Sequence, residues 1–217
     1  MKRARIVFDL DGTLIDSAPD IQGIANALLS LEGKPEISLA QTRRFIGNGV
    51  EVFVQRLREL RRIPDDRQEP MTKAFIERYE TAFELTHLYP HVFEVLQKLH
   101  AHHALGICTN KVVIPCRAVL RHLGIAHFFD TIVGGDSLPT RKPDPAMLHA
   151  AFENLEGGDC IYVGDSEVDA ETALRANVPF LLFTGGYRKT SVDQIPARGT
   201  FSSHLDLLDL EKVMRKI

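Results

Sequence analysis

Ile6-Val7-Phe8-Asp9-Leu10-Asp11-Gly12-Thr13-Leu14 is the stretch that decides the fold. A short apolar run leads directly into two carboxylates two residues apart. If the strand continues through them, both side chains fall on one face. Like charges that close raise each other's pKa unless a cation or a proton intervenes. Gly12 allows a tight backbone turn where the strand must stop. The pair therefore reads as a site that holds a metal and divides two carboxylate roles between neighbours.

Outward from this stretch, short apolar runs alternate with segments of helical period. The runs predict strands at Arg5–Leu10, Ala104–Thr109, Thr131–Gly134, Cys160–Gly164 and Pro179–Phe183. Helices are predicted at Phe93–His102, Val112–Leu123, Pro145–Asn154, Val168–Asn177 and Leu205–Lys216. Alternation of this kind implies an α/β fold, a doubly wound parallel sheet covered on both faces. Ligands in such sheets bind at the carboxyl ends of the strands.

The stretch from about Asp16 to Thr86 breaks the rhythm. It offers no strand, only helical segments at Asp20–Leu31, Leu39–Phe45, Val50–Arg61 and Arg67–Leu85. That is too long for a βα connection. The expected organisation is an α/β core from residues 1–15 and 88–217, with an inserted helical cap at 16–87.

Composition narrows the function. The 217 residues carry a net charge of −3, with 44% hydrophobic and 25% charged residues, ordinary values for a globular protein. No long basic run suggests nucleic acid. No apolar stretch approaches a membrane span, and the apolar stretch after the basic N-terminus is too short for a signal peptide. Cys108, Cys116 and Cys160 form no CxxC pair and read as structural thiols in a reducing, cytoplasmic protein. The histidines at 100, 102 and 103 fall at a helix end, where His is favourable without any metal.

Three further strand ends carry polar groups. Thr109-Asn110-Lys111 offers a hydroxyl and an amide ahead of a helix, a setting that suits phosphate oxygens or a simple helix cap. Arg141-Lys142-Pro143-Asp144-Pro145 holds a lysine in a proline-stiffened loop, where it could neutralise a transferring anion. Gly164-Asp165-Ser166-Glu167-Val168-Asp169 sets two acids four residues apart. Hard oxygen ligands from separate strand ends suit Mg²⁺, and acids so placed also serve simply to cap a helix N-terminus.

Taken in order, DxDGT, T-N-K, R-K-P and GDSxxD resemble the motifs of the haloacid dehalogenase-like (HAD) superfamily, in its phosphatase branch. The resemblance spans Asp9 to Asp169 and implies a HAD-like Rossmannoid core, a magnesium-dependent phosphatase and a small phosphorylated metabolite as substrate. It implies that Asp9 attacks phosphorus to form an aspartyl-phosphate, while Asp11 protonates the leaving alkoxide and later activates water. Mg²⁺ would be held by the Asp9 carboxylate, the Asp11 backbone carbonyl and Asp165, with Asp169 a ligand or a supporting acceptor. Thr109, the Asn110 backbone and Lys142 would grip the phosphoryl oxygens, and Thr13 would brace the turn. Dehalogenases of the superfamily lack the second acid of the DxD pair, which Asp11 supplies here. Phosphotransfer, as in the β-phosphoglucomutases, stays open, as does another sugar phosphate, nucleotide or pyrophosphate as substrate. A phospho-acceptor signalling domain and an idle binding protein are the readings from other classes.

In the cap, Arg43-Arg44-Phe45-Ile46-Gly47-Asn48-Gly49-Val50 joins two helical segments. Gly47 and Gly49 let the backbone approach a ligand, the next helix would aim N–H groups at an anion, and Arg43 or Arg44 could add charge; a plain glycine-bearing turn between two helices is the other reading of the same residues. This turn, with Asn48 in it, and the run Gly164–Asp169 with Gly186-Tyr187 resemble those of bacterial phosphoglycolate phosphatases, whose substrate carries a carboxylate. Val168 where that family usually has Asn, Asn177 where it has Gly, and Arg188-Lys189-Thr190 depart from the pattern. They lie off the phosphoryl chemistry. The sequence leaves the oligomeric state unassigned.

Overall fold

The computed structural model describes residues 3–209. Strand β1 (Arg5–Phe8) ends one residue before Asp9, so the acids sit in a turn rather than on a continuing strand. The turn closes on itself: Gly12 N–H donates to the Ile15 carbonyl at 2.8 Å and Leu14 N–H to that of Leu10 at 3.0 Å. Gly12 stands at φ +93°, where a side chain would be strained. The two-residue strand β2 (Ile15–Asp16) follows.

Four helices come next: α1 (Ala18–Leu31), α2 (Leu39–Phe45), α3 (Val50–Arg61) and α4 (Gln68–Tyr79). α1 begins two residues earlier than predicted because Pro19 suits a first turn. Ser38 and Gln41 form a reciprocal cap on α2. α4 stops at Tyr79 rather than Leu85. Buried Asp20 takes the Leu85 N–H at 3.0 Å and the Thr86 hydroxyl at 2.6 Å, drawing the chain out of the helix. These helices enclose an apolar cluster of their own, including Leu28, Val54, Leu57 and Phe75, and Tyr187 joins it from far along the chain.

β3 (His87–Leu88) then pairs antiparallel with β2. This small ribbon was not legible in the sequence, since two residues show no period. The rest alternates as α5 (Val92–His100), β4 (Ala104–Cys108), α6 (Val113–His122), β5 (Thr131–Val133), α7 (Ala146–Glu153), β6 (Cys160–Gly164), α8 (Glu167–Ala176) and β7 (Phe180–Phe183). A sixth strand of the main sheet, β8 (Gly199–Phe201), was also unforeseen; it is three residues long and opens on glycine. Of the helix predicted at Leu205–Lys216, the described part is a 3₁₀ segment over His204–Asp209. Positions 210–216 lie outside the described residues.

The main sheet is parallel throughout, in the order β5-β4-β1-β6-β7-β8. Side-chain alternation divides its two faces. Ile6, Phe8, Ile107 and Val163 pack on one side, and Val7, Cys108 and Tyr162 on the other. From β1 the chain winds outward to β4 and β5, then returns to the far side of β1 as β6. The switch point therefore lies at β1, and the carboxyl ends of β4, β1 and β6 open side by side.

Candidate active site

Asp9 leaves β1 at that switch point and is 8% exposed. Its backbone N–H donates to the Val163 carbonyl at 2.8 Å, which fixes it against β6. Its Oδ1 accepts from Lys142 Nζ at 2.8 Å. Burial pushes the Asp9 carboxyl up; Lys142 partly offsets this, while Asp169 and Asp11 reinforce it, and the result is about 7.

Lys142 arrives from the loop between β5 and α7. Its ammonium donates to Asp9, to Asp169 Oδ1 at 2.7 Å and to the Tyr162 hydroxyl at 2.9 Å. Burial alone would lower its pKa, but Asp169 and Asp9 more than reverse that. The lysine thus stays charged at any ordinary pH.

β6 delivers the other two acids. Asp165 Oδ1 accepts from the Thr13 hydroxyl at 2.8 Å and Oδ2 from the Tyr187 N–H at 2.6 Å. Burial, with the charges of Asp169 and Asp9, holds its pKa well above the usual carboxylate range. Asp169 lies in the first turn of α8. Its Oδ1 takes Lys142 and Tyr162, and its Oδ2 takes the Ser166 N–H at 3.1 Å and hydroxyl at 2.6 Å. Burial would raise this carboxyl, yet the Lys142 charge and these donors bring it below its ordinary value. Asp169 is thus the settled anion of the group, while Asp9 and Asp165 are crowded.

Each of Asp9, Asp165 and Asp169 offers an oxygen within 4.8 Å of the others. Buried hard donors whose charges repel one another fit a divalent cation. Asp169 already saturates both oxygens with protein donors, which suits it to supporting Lys142.

Asp11 stands apart from that cluster. Its Oδ1 accepts from the Ser17 hydroxyl at 2.6 Å and from Lys111 Nζ at 3.3 Å. Lys111 is buried, and its ammonium lies 3.5 Å from the centre of the Tyr79 ring. Sequence reasoning passed over this lysine although it completes Thr109-Asn110-Lys111, because strand periodicity does not say which way a residue past the strand end will turn.

Thr109 is 2% exposed, and its Oγ1 accepts the Lys111 N–H at 3.3 Å. Asn110 has a use its sequence position did not suggest. Its Nδ2 donates to the Lys142 carbonyl at 3.1 Å and to the Gly47 carbonyl at 2.9 Å, and its Oδ1 accepts the Lys142 N–H at 3.0 Å. One side chain thereby ties the Lys142 loop to the turn before α3. Arg141 repeats the tie, with Nη1 2.8 Å from Glu51 Oε2 on α3.

That turn roofs a cavity of about 50 Å³. Asp9, Asp11, Thr109, Asn110 and Lys111 form the floor; Ile46, Gly47, Gly49, Phe53, Phe75 and Tyr79 are among the residues above. Gly47 and Gly49 both have positive φ. Arg44 is exposed and does not line the cavity, and Asn48 Oδ1 is occupied by Arg56 Nη2 at 2.8 Å. Arg43 is committed to Asp16 at 2.8 Å. Tyr187 stands far along the chain from the residues it holds. Its hydroxyl donates to Asp16 at 2.6 Å and accepts the Ser17 N–H at 2.9 Å, while its own N–H holds Asp165.

The family model described as "Haloacid dehalogenase-like hydrolase" matches residues 6–183. A phosphoglycolate phosphatase of Cereibacter sphaeroides is 47% identical over 209 residues, covering 94% of this chain and 96% of the relative. One from Rhodobacter capsulatus is 42% identical, covering 90% and 91%. Among solved structures, one described as a predicted phosphoglycolate phosphatase from Haemophilus somnus superposes with a TM-score of 0.87 at 30% identity, covering 95% of this chain and 96% of that one.

Proposed function

This chain belongs to the haloacid dehalogenase-like hydrolases, and from that premise we propose that it is a magnesium-dependent phosphomonoesterase acting on 2-phosphoglycolate. The observation that carries the reaction is the buried group of Asp9, Asp165 and Asp169 around Lys142 at adjoining strand ends. The substrate rests on the phosphoglycolate phosphatases that resemble the chain along nearly its whole length.

Asp9 is the nucleophile. Lys142 holds one of its oxygens, and the other, without a protein donor among the described residues, attacks phosphorus. The P–O bond to the leaving alcohol breaks, and Asp11 gives that oxygen a proton. Asp11 then takes a proton from a water that attacks the aspartyl-phosphate, releasing phosphate and restoring Asp9. Thr109 supplies a donor to the phosphoryl oxygens, the Lys142 ammonium opposes their charge from beside Asp9, and Asn110 keeps Lys142 in place. Asp9, Asp165 and the Asp11 backbone carbonyl would hold Mg²⁺, which supplies charge neutralisation at the phosphoryl group.

Residues 16–87 act as a cap over the core formed by 1–15 and 88–217. Their separate apolar cluster supports that division, and the contacts of Asn110 and Arg141 with the Gly47–Glu51 turn join the two in a closed state. Three free cysteines fit a reducing, cytoplasmic setting.

Phosphate release from a panel of small phosphomonoesters, with and without Mg²⁺, tests the proposal. Turnover of 2-phosphoglycolate above the others, lost on chelation, is expected. No hydrolysis of any member with Mg²⁺ present would refute it.

A further inference from the structure

Lys111 has no part in the chemistry above, yet it is the one cation among the residues lining the cavity. Four neighbouring cations are spoken for, Arg43 by Asp16, Arg56 by the Phe45 carbonyl and Asn48, Arg141 by Glu51, and Lys142 by Asp9 and Asp169, and Arg44 and Lys189 do not line the cavity. The Lys111 side chain is 2% exposed and its ammonium has three N–H bonds. One reaches Asp11 at 3.3 Å, and the Tyr79 ring face lies beside the ammonium. No further protein acceptor meets it among the described residues. The rest of the cavity wall is largely apolar, so an anion entering beyond the phosphoryl group finds no other positive charge there.

We propose that Lys111 is the specificity residue that receives the carboxylate of the substrate, an inference that rests on the 2-phosphoglycolate reading. In that substrate the carboxylate is one carbon from the leaving oxygen. Asp11, the acid assigned to that oxygen, lies 3.3 Å from the ammonium, so one lysine spans both. It also places carboxylate recognition on the core, beside the reacting atoms, rather than on the Arg44–Gly49 turn. A desolvated ammonium under an apolar roof strengthens such a contact, because no water competes for it.

The test compares 2-phosphoglycolate with 2-hydroxyethyl phosphate, which replaces the carboxylate by an uncharged group of similar size. kcat/KM for both is measured in the wild-type protein and in Lys111→Met, after thermal melts establish folding. Turnover lost through the contact with Asp11 falls equally on both substrates and cancels in their ratio. The ratio is expected to drop about 10- to 100-fold, the effect of deleting one charge-assisted hydrogen bond. If the methionine variant does not fold, Lys111→Gln, which keeps a polar end, takes its place with the same expected direction. A ratio that is unchanged would overturn the role of Lys111, whether both activities fall together or neither does. A wild-type protein with no preference for the carboxylated substrate would instead overturn the 2-phosphoglycolate reading.

Discussion

Replacing Lys142 with methionine tests the electrostatic heart of the site. Methionine keeps most of the length of the stem and removes the charge. It leaves Asp9 and Asp169, both buried, without the cation that sits 2.8 and 2.7 Å from them. Removing one partner of a buried ion pair typically costs about 3–5 kcal/mol, because the remaining charge is stranded. Two carboxylates are stranded here, so the upper part of that range is expected at pH 8. The cost should depend on pH in a definite direction. Without Lys142, burial is expected to push both carboxyls upward, Asp169 less than Asp9 because its Ser166 and Tyr162 donors remain. A group raised in the fold contributes stability that is present below its unfolded pKa and is lost as pH rises through its folded value. The wild-type Asp9 carboxyl, at about 7, already follows this course, whereas Asp169 is lowered and stabilises at every pH above 3.8. The deficit of the variant should therefore shrink toward pH 5, where both stranded acids can take protons. Urea unfolding of both proteins at pH 5, 7 and 8, in chelator, measures it. A deficit below about 1 kcal/mol at pH 8, or one that is the same at pH 5, would refute the reasoning.

Gly12→Ala should impair the metal site more than the fold. At φ +93° the added methyl group carries about 1–2 kcal/mol of backbone strain, and its Cβ would lie 2.5 Å from Asp165 Oδ2. Displacing that carboxylate should raise the Mg²⁺ concentration needed for half-maximal activity and lower kcat about 10²-fold, read from a Mg²⁺ titration. His204 should make the protein acid-sensitive. It is 2% exposed, packs on Phe183 and Phe201, and bonds to the Thr13 carbonyl at 2.8 Å. Burial pulls its pKa to about 4 from 6.5, so it is neutral in the fold while the unfolded chain binds a proton between those values. Stability should fall by up to about 3 kcal/mol as pH drops from 6.5 to 4. Melts of His204→Phe that show the same slope would contradict this.

The strands that carry the site were legible because each is an apolar run ended by polar residues. Asp9, Thr109 and Asp165 each follow such a run by one residue, so strand ends alone placed them. Lys142 was recoverable only from its motif, since it stands nine residues beyond β5 in a loop. The helical insertion showed itself by length. Its inner boundary did not: α4 ends at Tyr79 because Asp20, 65 residues before Leu85, captures the chain there. Similarly, β8 and the β2–β3 ribbon exist because neighbours supply their hydrogen bonds, and no local period announces them.

The sequence by itself determined which groups stand at the strand ends: the acids, the hydroxyl and the lysine, their order, and the parallel sheet that presents them. Local pattern suffices there because strand ends converge wherever a doubly wound sheet has its switch point. Only the tertiary structure decided how those groups are partnered. It gave Lys142 two carboxylates, made Asn110 a tie between the Lys142 loop and the turn before α3, and drew Tyr187 across 171 positions to the Asp16 carboxylate. It also turned Arg44 outward and buried Lys111 beside Asp11. Side-chain direction beyond a strand end is set by packing against distant elements, and that information is absent from any single stretch of the chain.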